Sequence, residues 1–502
     1  MTKPPGTFEI KDTDLAGRIG KLYLKNGVIE TPAFFPVIDI YRQDVPPNEL
    51  LEIGFKQAIT NAYLTLKRFG DEAVEKGIHG IIGFKGVVMT DSGAYQMLEY
   101  GEVDVDQETI INYQKRIGSD IGVILDVPTG IASYENAKRS VVETGKRAEE
   151  AIGLIKDSDT VWVLPVQGAG YSDLTAESAE IARRLSPHYG MLGIGGLTSY
   201  MEKYDYLTVV DMIHVAKRIL PGGKPVHLFG AGHPLIITLA IALGVDTFDS
   251  ASYILYARDN RYITDYGVER LDRLEYFPCT CPVCSRYTPK DLLEMNKEER
   301  TRLLAIHNLY AIKRAIDRAK QAIREGRLWE LLEETSRRHP SSYEAFRAFR
   351  KYRDYLALST PYVKGVVRGL RLYGEESLWR PKIILYRRRL EKYLSGRRVK
   401  RVILKPYPEK AEECPRYTDV EDEVLVAYYT PYLGIIPGEL CGVYPTIHFN
   451  YPEREVPESI IEEMIDYVAS LVRRLYPDAT VTVEEGSGWR EKAARILRER
   501  FS

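Results

Sequence analysis

Two aspartates carry the first chemical signal in this chain. Asp91, in TDSGAYQM, and Asp249, in FDSASY, each follow a short apolar run, GVVMT and VDTF. Two carboxylates brought to one surface can divide labour, one as nucleophile and the other as proton donor and acceptor. That division serves substitution at a sugar anomeric carbon through a glycosyl-enzyme intermediate. Other residues could complete such a site. Tyr95 offers a flat face for a base, while Asp126 and Gln167 supply an acceptor and an amide for a purine edge. Gly195 and Gly196 permit close backbone approach. These residue types alone leave a generic barrel hydrolase and a metal-carboxylate enzyme open beside a nucleobase or sugar site.

A second constellation is Cys279, Cys281 and Cys284, followed after 22 intervening residues by His307. Three thiolates and an imidazole match tetrahedral zinc. Pro278 and Pro282 keep the cysteine segment in a loop, and His307 falls in a predicted helix. Four protein ligands close the coordination shell, so a structural ion, one per chain, is expected. Cys414 and Cys441 read as ordinary small residues.

Bringing Asp91, Asp126, Gln167, Gly195, Gly196 and Asp249 together is a task for the fold. Before residue 275 the chain alternates apolar runs with helical stretches. The runs are GVVMT, IGVIL, TVWVLPV, MLGIGG, PVHLFG and VDTF; helical spacing follows at 141–155, 176–185 and 209–220. Runs hydrophobic throughout suit parallel strands buried on both faces. The repetition predicts an α/β fold, either a (β/α)8 TIM-like barrel or a doubly wound sheet. At least five runs end on Asp, Gln or a Gly pair, which favours the barrel, because all its strands end on one face. Helix capping explains two or three of these residues but not Gln167. The predicted division is a catalytic barrel with its zinc insertion over 1–358, a basic helical connecting segment over 359–398, and a small α/β domain over 399–502.

Bulk properties narrow the class. With 44% hydrophobic and 28% charged residues the composition is globular. No apolar stretch is long enough for a membrane span, and MTKPPGTFEIKDTD lacks the apolar core of a signal peptide. Cytoplasmic residence is the expectation. The net charge of -2 conceals an asymmetry: residues 313–405 hold 26 Lys/Arg against 10 Asp/Glu. Such a stretch beside an acidic body suggests a bound polyanion, or a solvated helical face. Arg387, Arg388, Arg389, Arg397, Arg398 and Arg401 are candidates for phosphate contacts.

The segments TDSGAYQM, LPVQG, GIGGL, HLFGAGHP, GVDTFDSASY and CTCPVCSRYT with His307 closely resemble the tRNA-guanine transglycosylases, over roughly residues 8–350. FDSASY and YYTPYLGIIPGELCGVYP look like the archaeal branch. The resemblance implies a pentosyltransferase that exchanges guanine at position 15, in the D-arm of tRNA, for 7-cyano-7-deazaguanine on the way to archaeosine. It implies Asp249 as nucleophile and Asp91 as general acid–base residue. It also implies Ser92, Asp126, Gln167 and Gly196 as base contacts, Tyr95 as the stacking ring, and Cys279, Cys281, Cys284 and His307 as zinc ligands. The expected partners are tRNA, guanine and the deazaguanine, with a homodimer as the family's tendency. Archaeal members commonly carry a terminal RNA-binding PUA domain; this chain stops at Ser502, so the expectation is either a separate PUA-domain protein as a further partner or a tRNA gripped without that module. An archaeosine synthase-like paralogue and a non-catalytic tRNA-binding subunit are the alternatives. Both are disfavoured by the presence of Asp91 and Asp249.

Overall fold

Three antiparallel strands, β1 (Phe8–Asp14), β2 (Gly17–Leu24) and β3 (Gly27–Thr31), open the computed structural model, which describes residues 3–94, 105–364, 369–408, 423–446 and 448–502. Eight parallel strands follow: β4 (Ala33–Pro36), β5 (Gln57–Asn61), β6 (Val87–Asp91), β7 (Ile121–Val123), β8 (Val161–Val166), β9 (Met191–Ile194), β10 (Val226–Leu228) and β11 (Thr247–Ser250). Their order is β4-β11-β10-β9-β8-β7-β6-β5. A parallel bridge between Val37 and Ile59 joins the two ends of that series, so the sheet is the TIM-like barrel and not a doubly wound sheet. Side chains supplement this closure. Gln57 Nε2 donates to the Phe34 carbonyl at 2.6 Å, and Thr60 Oγ1 donates to that of Ile38 at 2.8 Å.

The barrel is filled by alternate residues of its strands, as the two-residue period of a strand requires. Val87 and Met89, Ile121 and Val123, and Val161 and Val163 share one buried cluster with Phe35, Ile59 and Met191. Leu22, Leu24 and Ile29 of β2 and β3 join it. Helices Tyr134–Ile155, Ser172–Leu185 and Tyr206–Ile219 pack in sequence outside, each returning the chain to the start of the next strand.

The chain divides into two compact units: residues 1–324 with 331–348, and residues 325–330 with 349–502. In the second unit a sheet runs in the order Gly434–Pro437, Glu423–Thr430, Val399–Pro406, Thr480–Val483, covered by helices that include Glu458–Leu475 and Trp489–Phe501. The basic helix Pro381–Ser395 does not stand apart as a connecting segment. Its Ile383, Tyr386, Leu390 and Leu394 lie in the same core as Leu404, Leu425 and Val468. Cys441, expected to be an ordinary small residue, is disulfide-bonded; Cys414 lies outside the described residues. Among the described residues no helix is long and apolar enough to cross a membrane.

Candidate functional site

β6 ends on Asp91 and β11 places Asp249 one residue before its end. Parallel strands all end on one face of a barrel, so the two carboxylates, with Asp126 beyond β7 and Gln167 beyond β8, share that face. Burial and the carboxylates of Asp126 and Asp249 push the Asp91 carboxyl up to about 7, against the backbone N–H groups of Ser92 and Gly93, which oppose the shift. Asp91 can therefore hold a proton near neutrality. Asn61, level with Asp91 in the pairing of β5 with β6, points its Nδ2 at Asp91 Oδ2 from 3.5 Å.

Asp249 is held differently. Its Oδ1 accepts from the Gly230 backbone N–H at 3.0 Å and lies 3.0 Å from His227 Nε2. His227 is fully buried in β10; its Nδ1 lies 2.9 Å from Thr247 Oγ1, and the rings of Phe35 and Phe229 stand edge-on to it.

The neighbouring wall is polar and buried. Gln167 Nε2 donates to Asp126 Oδ2, and burial pushes the Asp126 carboxyl up to about 6 although that bond opposes it. Among the described residues, Gln167 Oε1 and Ser92 Oγ have no partner although both are buried. Orphaned buried acceptors and donors cost free energy unless something pairs with them, so this wall can receive a polar ligand. The two glycines lie close against Gln167. A Cβ at Gly195 would lie 2.9 Å from Gln167 Nε2, and one at Gly196, whose φ is +72°, would lie 3.0 Å from Gln167 Oε1. Asp91, Ser92, Asp126, Gln167, Gly195, Gly196 and Asp249 are thus brought to one face; Tyr95 lies outside the described residues.

Sequence reasoning missed Asn61, His227 and Gly230. A histidine inside the apolar run PVHLFG is the only signal for His227, and the run gives no hint that Asp249 is its partner.

The cysteine cluster assembles as expected. The ligand atoms of Cys279, Cys281, Cys284 and His307 all lie within 4.8 Å of one another, an arrangement that could hold a metal ion. His307 Nε2 donates to the Ile263 carbonyl at 2.9 Å, which leaves the Nδ1 lone pair facing Cys284 Sγ at 3.3 Å and Cys281 Sγ at 3.5 Å. Tyr262 stacks on the imidazole at 3.6 Å and places its hydroxyl 3.4 Å from Cys284 Sγ. Arg314 donates to Cys279 Sγ and to Asp265, compensating thiolate charge.

The arginine candidates divide. Arg387 forms a bidentate pair with Glu463 and lies over the Tyr467 ring, and Arg397 pairs with Glu439. Each keeps only 15% side-chain exposure, so both serve the fold of the second unit. Arg388, Arg389, Arg398 and Arg401 are exposed, with Arg388 beside Asp354 and Arg389 over the Tyr362 ring.

The family model described as queuine tRNA-ribosyltransferase matches residues 12–341. The chain is similar to the tRNA-guanine(15) transglycosylase of Aeropyrum pernix, 52% identical over 98% of this chain and 97% of the relative. The protein of that name from Saccharolobus solfataricus is 47% identical over 93% of this chain and 94% of its own. That of Methanocaldococcus jannaschii is 42% identical over 92% of this chain and 72% of its own. With most of its length matched at these identities, and with paired aspartates on the barrel face, the chain belongs to the tRNA-guanine transglycosylase family of transferases.

Proposed function

We propose that this protein exchanges guanine at position 15 of tRNA for 7-cyano-7-deazaguanine, through a covalent glycosyl-enzyme intermediate on Asp249, as the first step of archaeosine formation. The observation that carries this reading is the unequal pair of carboxylates on one barrel face: Asp91 able to keep a proton to about 7, and Asp249 fixed through Oδ1 by its neighbours. The printed name of the relatives supports guanine 15 of tRNA as the target.

In the first half-reaction an Asp249 oxygen bonds to C1′ of the nucleotide, and the bond from C1′ to the base breaks. The base leaves with the electron pair and takes a proton from the neutral carboxyl of Asp91. In the second half the deazaguanine loses its ring-nitrogen proton to the Asp91 carboxylate and bonds to C1′. The ester bond then breaks and its electron pair returns to Asp249. Ser92, Asp126 and Gln167 contact the base edge, and Tyr95 stacks on its face. The target nucleotide has to leave the tRNA stack, at a cost of a few kcal/mol. Phosphate contacts from the exposed Arg388, Arg398 and Arg401 offset part of it.

We assign zinc to the cysteine cluster. Thiolates and one imidazole are its preferred donors, and a closed four-ligand shell makes its role structural. Metal analysis is expected to find one zinc per chain, and Cys281→Ala to lower the melting temperature by at least about 5 °C. Unchanged melting in a metal-free protein would remove the site. The reading as a whole is tested by incorporation of radiolabelled guanine into tRNA transcripts. Cyano-deazaguanine is expected to compete, and a transcript with another base at position 15 to be inert; labelling that ignores both changes would overturn it.

A further inference from the structure

We propose that His227, as a neutral imidazole, is a positioning residue that reserves one oxygen of Asp249, Oδ2, for attack on the sugar. The inference rests on the nucleophile assignment above and goes beyond it. Among the described residues, both hydrogen bonds to the Asp249 carboxylate fall on Oδ1, from Gly230 N–H and from the His227 ring, each at 3.0 Å. Two convergent donors fix the carboxylate plane and weaken Oδ1 as a nucleophile, so the new bond to C1′ forms through Oδ2.

The ring is itself fixed. Thr247 Oγ1 lies 2.9 Å from Nδ1, and Phe35 and Phe229 flank the imidazole without offering a polar alternative. Neutrality follows from the reaction. When Asp249 becomes an ester its charge is gone, and a buried imidazolium would be left uncompensated between two phenyl rings. A neutral ring, with the Thr247 hydroxyl donating to Nδ1, donates through Nε2 to the carboxylate and equally to the ester carbonyl. In the second half-reaction the same two donors stabilise the charge that returns to Oδ1 as the ester bond breaks, as oxyanion donors do elsewhere.

The test compares His227→Phe with His227→Gln, whose amide nitrogen can take the place of Nε2, in single-turnover formation of the tRNA adduct and in steady-state exchange. The Phe variant is expected to slow adduct formation and kcat by about 10–100-fold, with tRNA and guanine affinities unchanged, and the Gln variant to recover most of the rate. Should the Phe variant not fold, His227→Asn replaces it, since its shorter amide leaves Asp249 without the donor. Equal rates for the donor-bearing and donor-lacking variants would overturn the inference. Asp249→Asn, run alongside, separates two failures. A normal adduct there overturns the nucleophile assignment itself. Its loss there, with a wild-type rate in the Phe variant, overturns only the role of His227.

Discussion

Asp91 and Asp249 are the same residue type at the ends of two strands of one barrel, yet their surroundings treat them in opposite ways. At the end of β6 the half-buried carboxyl is desolvated beside other carboxylates, and its value rises to about 7. At the end of β11 two N–H groups converge on a single carboxylate oxygen. Strand position brings both groups to one face of the barrel; in the proposed reaction their neighbours decide which keeps a proton and which presents a lone pair. A third carboxylate, Asp126, is raised to about 6 yet engaged by Gln167, which suits it to hold a base edge rather than to move protons.

Substitutions that remove one side of this contrast are ordered by expected effect. Asp249→Asn is expected to abolish the adduct on denaturing gels and to lower exchange by at least about 1,000-fold while tRNA binding persists. An adduct of normal yield would transfer the nucleophile to another group. Asp91→Asn is expected to lower exchange by about 100–10,000-fold. It has a second signature, in stability. An aspartic acid raised from 3.8 to about 7 takes up a proton on folding within that window, so its contribution to stability falls as pH rises through it. The Asn variant should therefore gain melting temperature over wild type between about pH 4 and pH 7, with no further gain above. A difference independent of pH would show that Asp91 is not a proton-holding group. The smallest effect is reserved for Asp126→Ala, about 10–100-fold in affinity for free guanine with little change in tRNA affinity, because one buried partner of the base is lost. Calorimetry showing the reverse order would remove Asp126 from the base wall.

The sequence exposes some of these features and conceals others for physical reasons. Six barrel strands are legible as apolar runs that stop at polar residues or glycines. β5, reading QAITN, is not, because Gln57, Thr60 and Asn61 are polar. The first two are satisfied inside the fold by carbonyls far away in the chain, and the third caps the following helix by accepting from Leu64 N–H. The cysteine cluster is legible because its three cysteines fall within six residues and their chemistry admits few alternatives. The arginine surplus is misleading in part, since a charge sum carries no information about partners. Arg380 is only 2% exposed, yet it meets Glu330 fifty positions earlier, and Arg387 and Arg397 meet acids that follow them by 76 and 42 positions. His227 is concealed for the same reason: its role exists only once β10 and β11 lie side by side.

The closure of the barrel between β4 and β5 has a mechanical consequence. Around the ring, the short arc from Asp91 to Asp249 runs through β6, β5, β4 and β11, so this joint lies at its midpoint. One bridge at Val37 and Ile59, with the side chains of Gln57 and Thr60, spans the joint where elsewhere a ladder of backbone pairs does so. Asp91 and Asp249, the proposed acid and nucleophile, are therefore mounted on opposite jaws of the barrel's least-riveted seam. The joint between them is held by one backbone bridge and by a glutamine and a threonine that lie on neither of their strands.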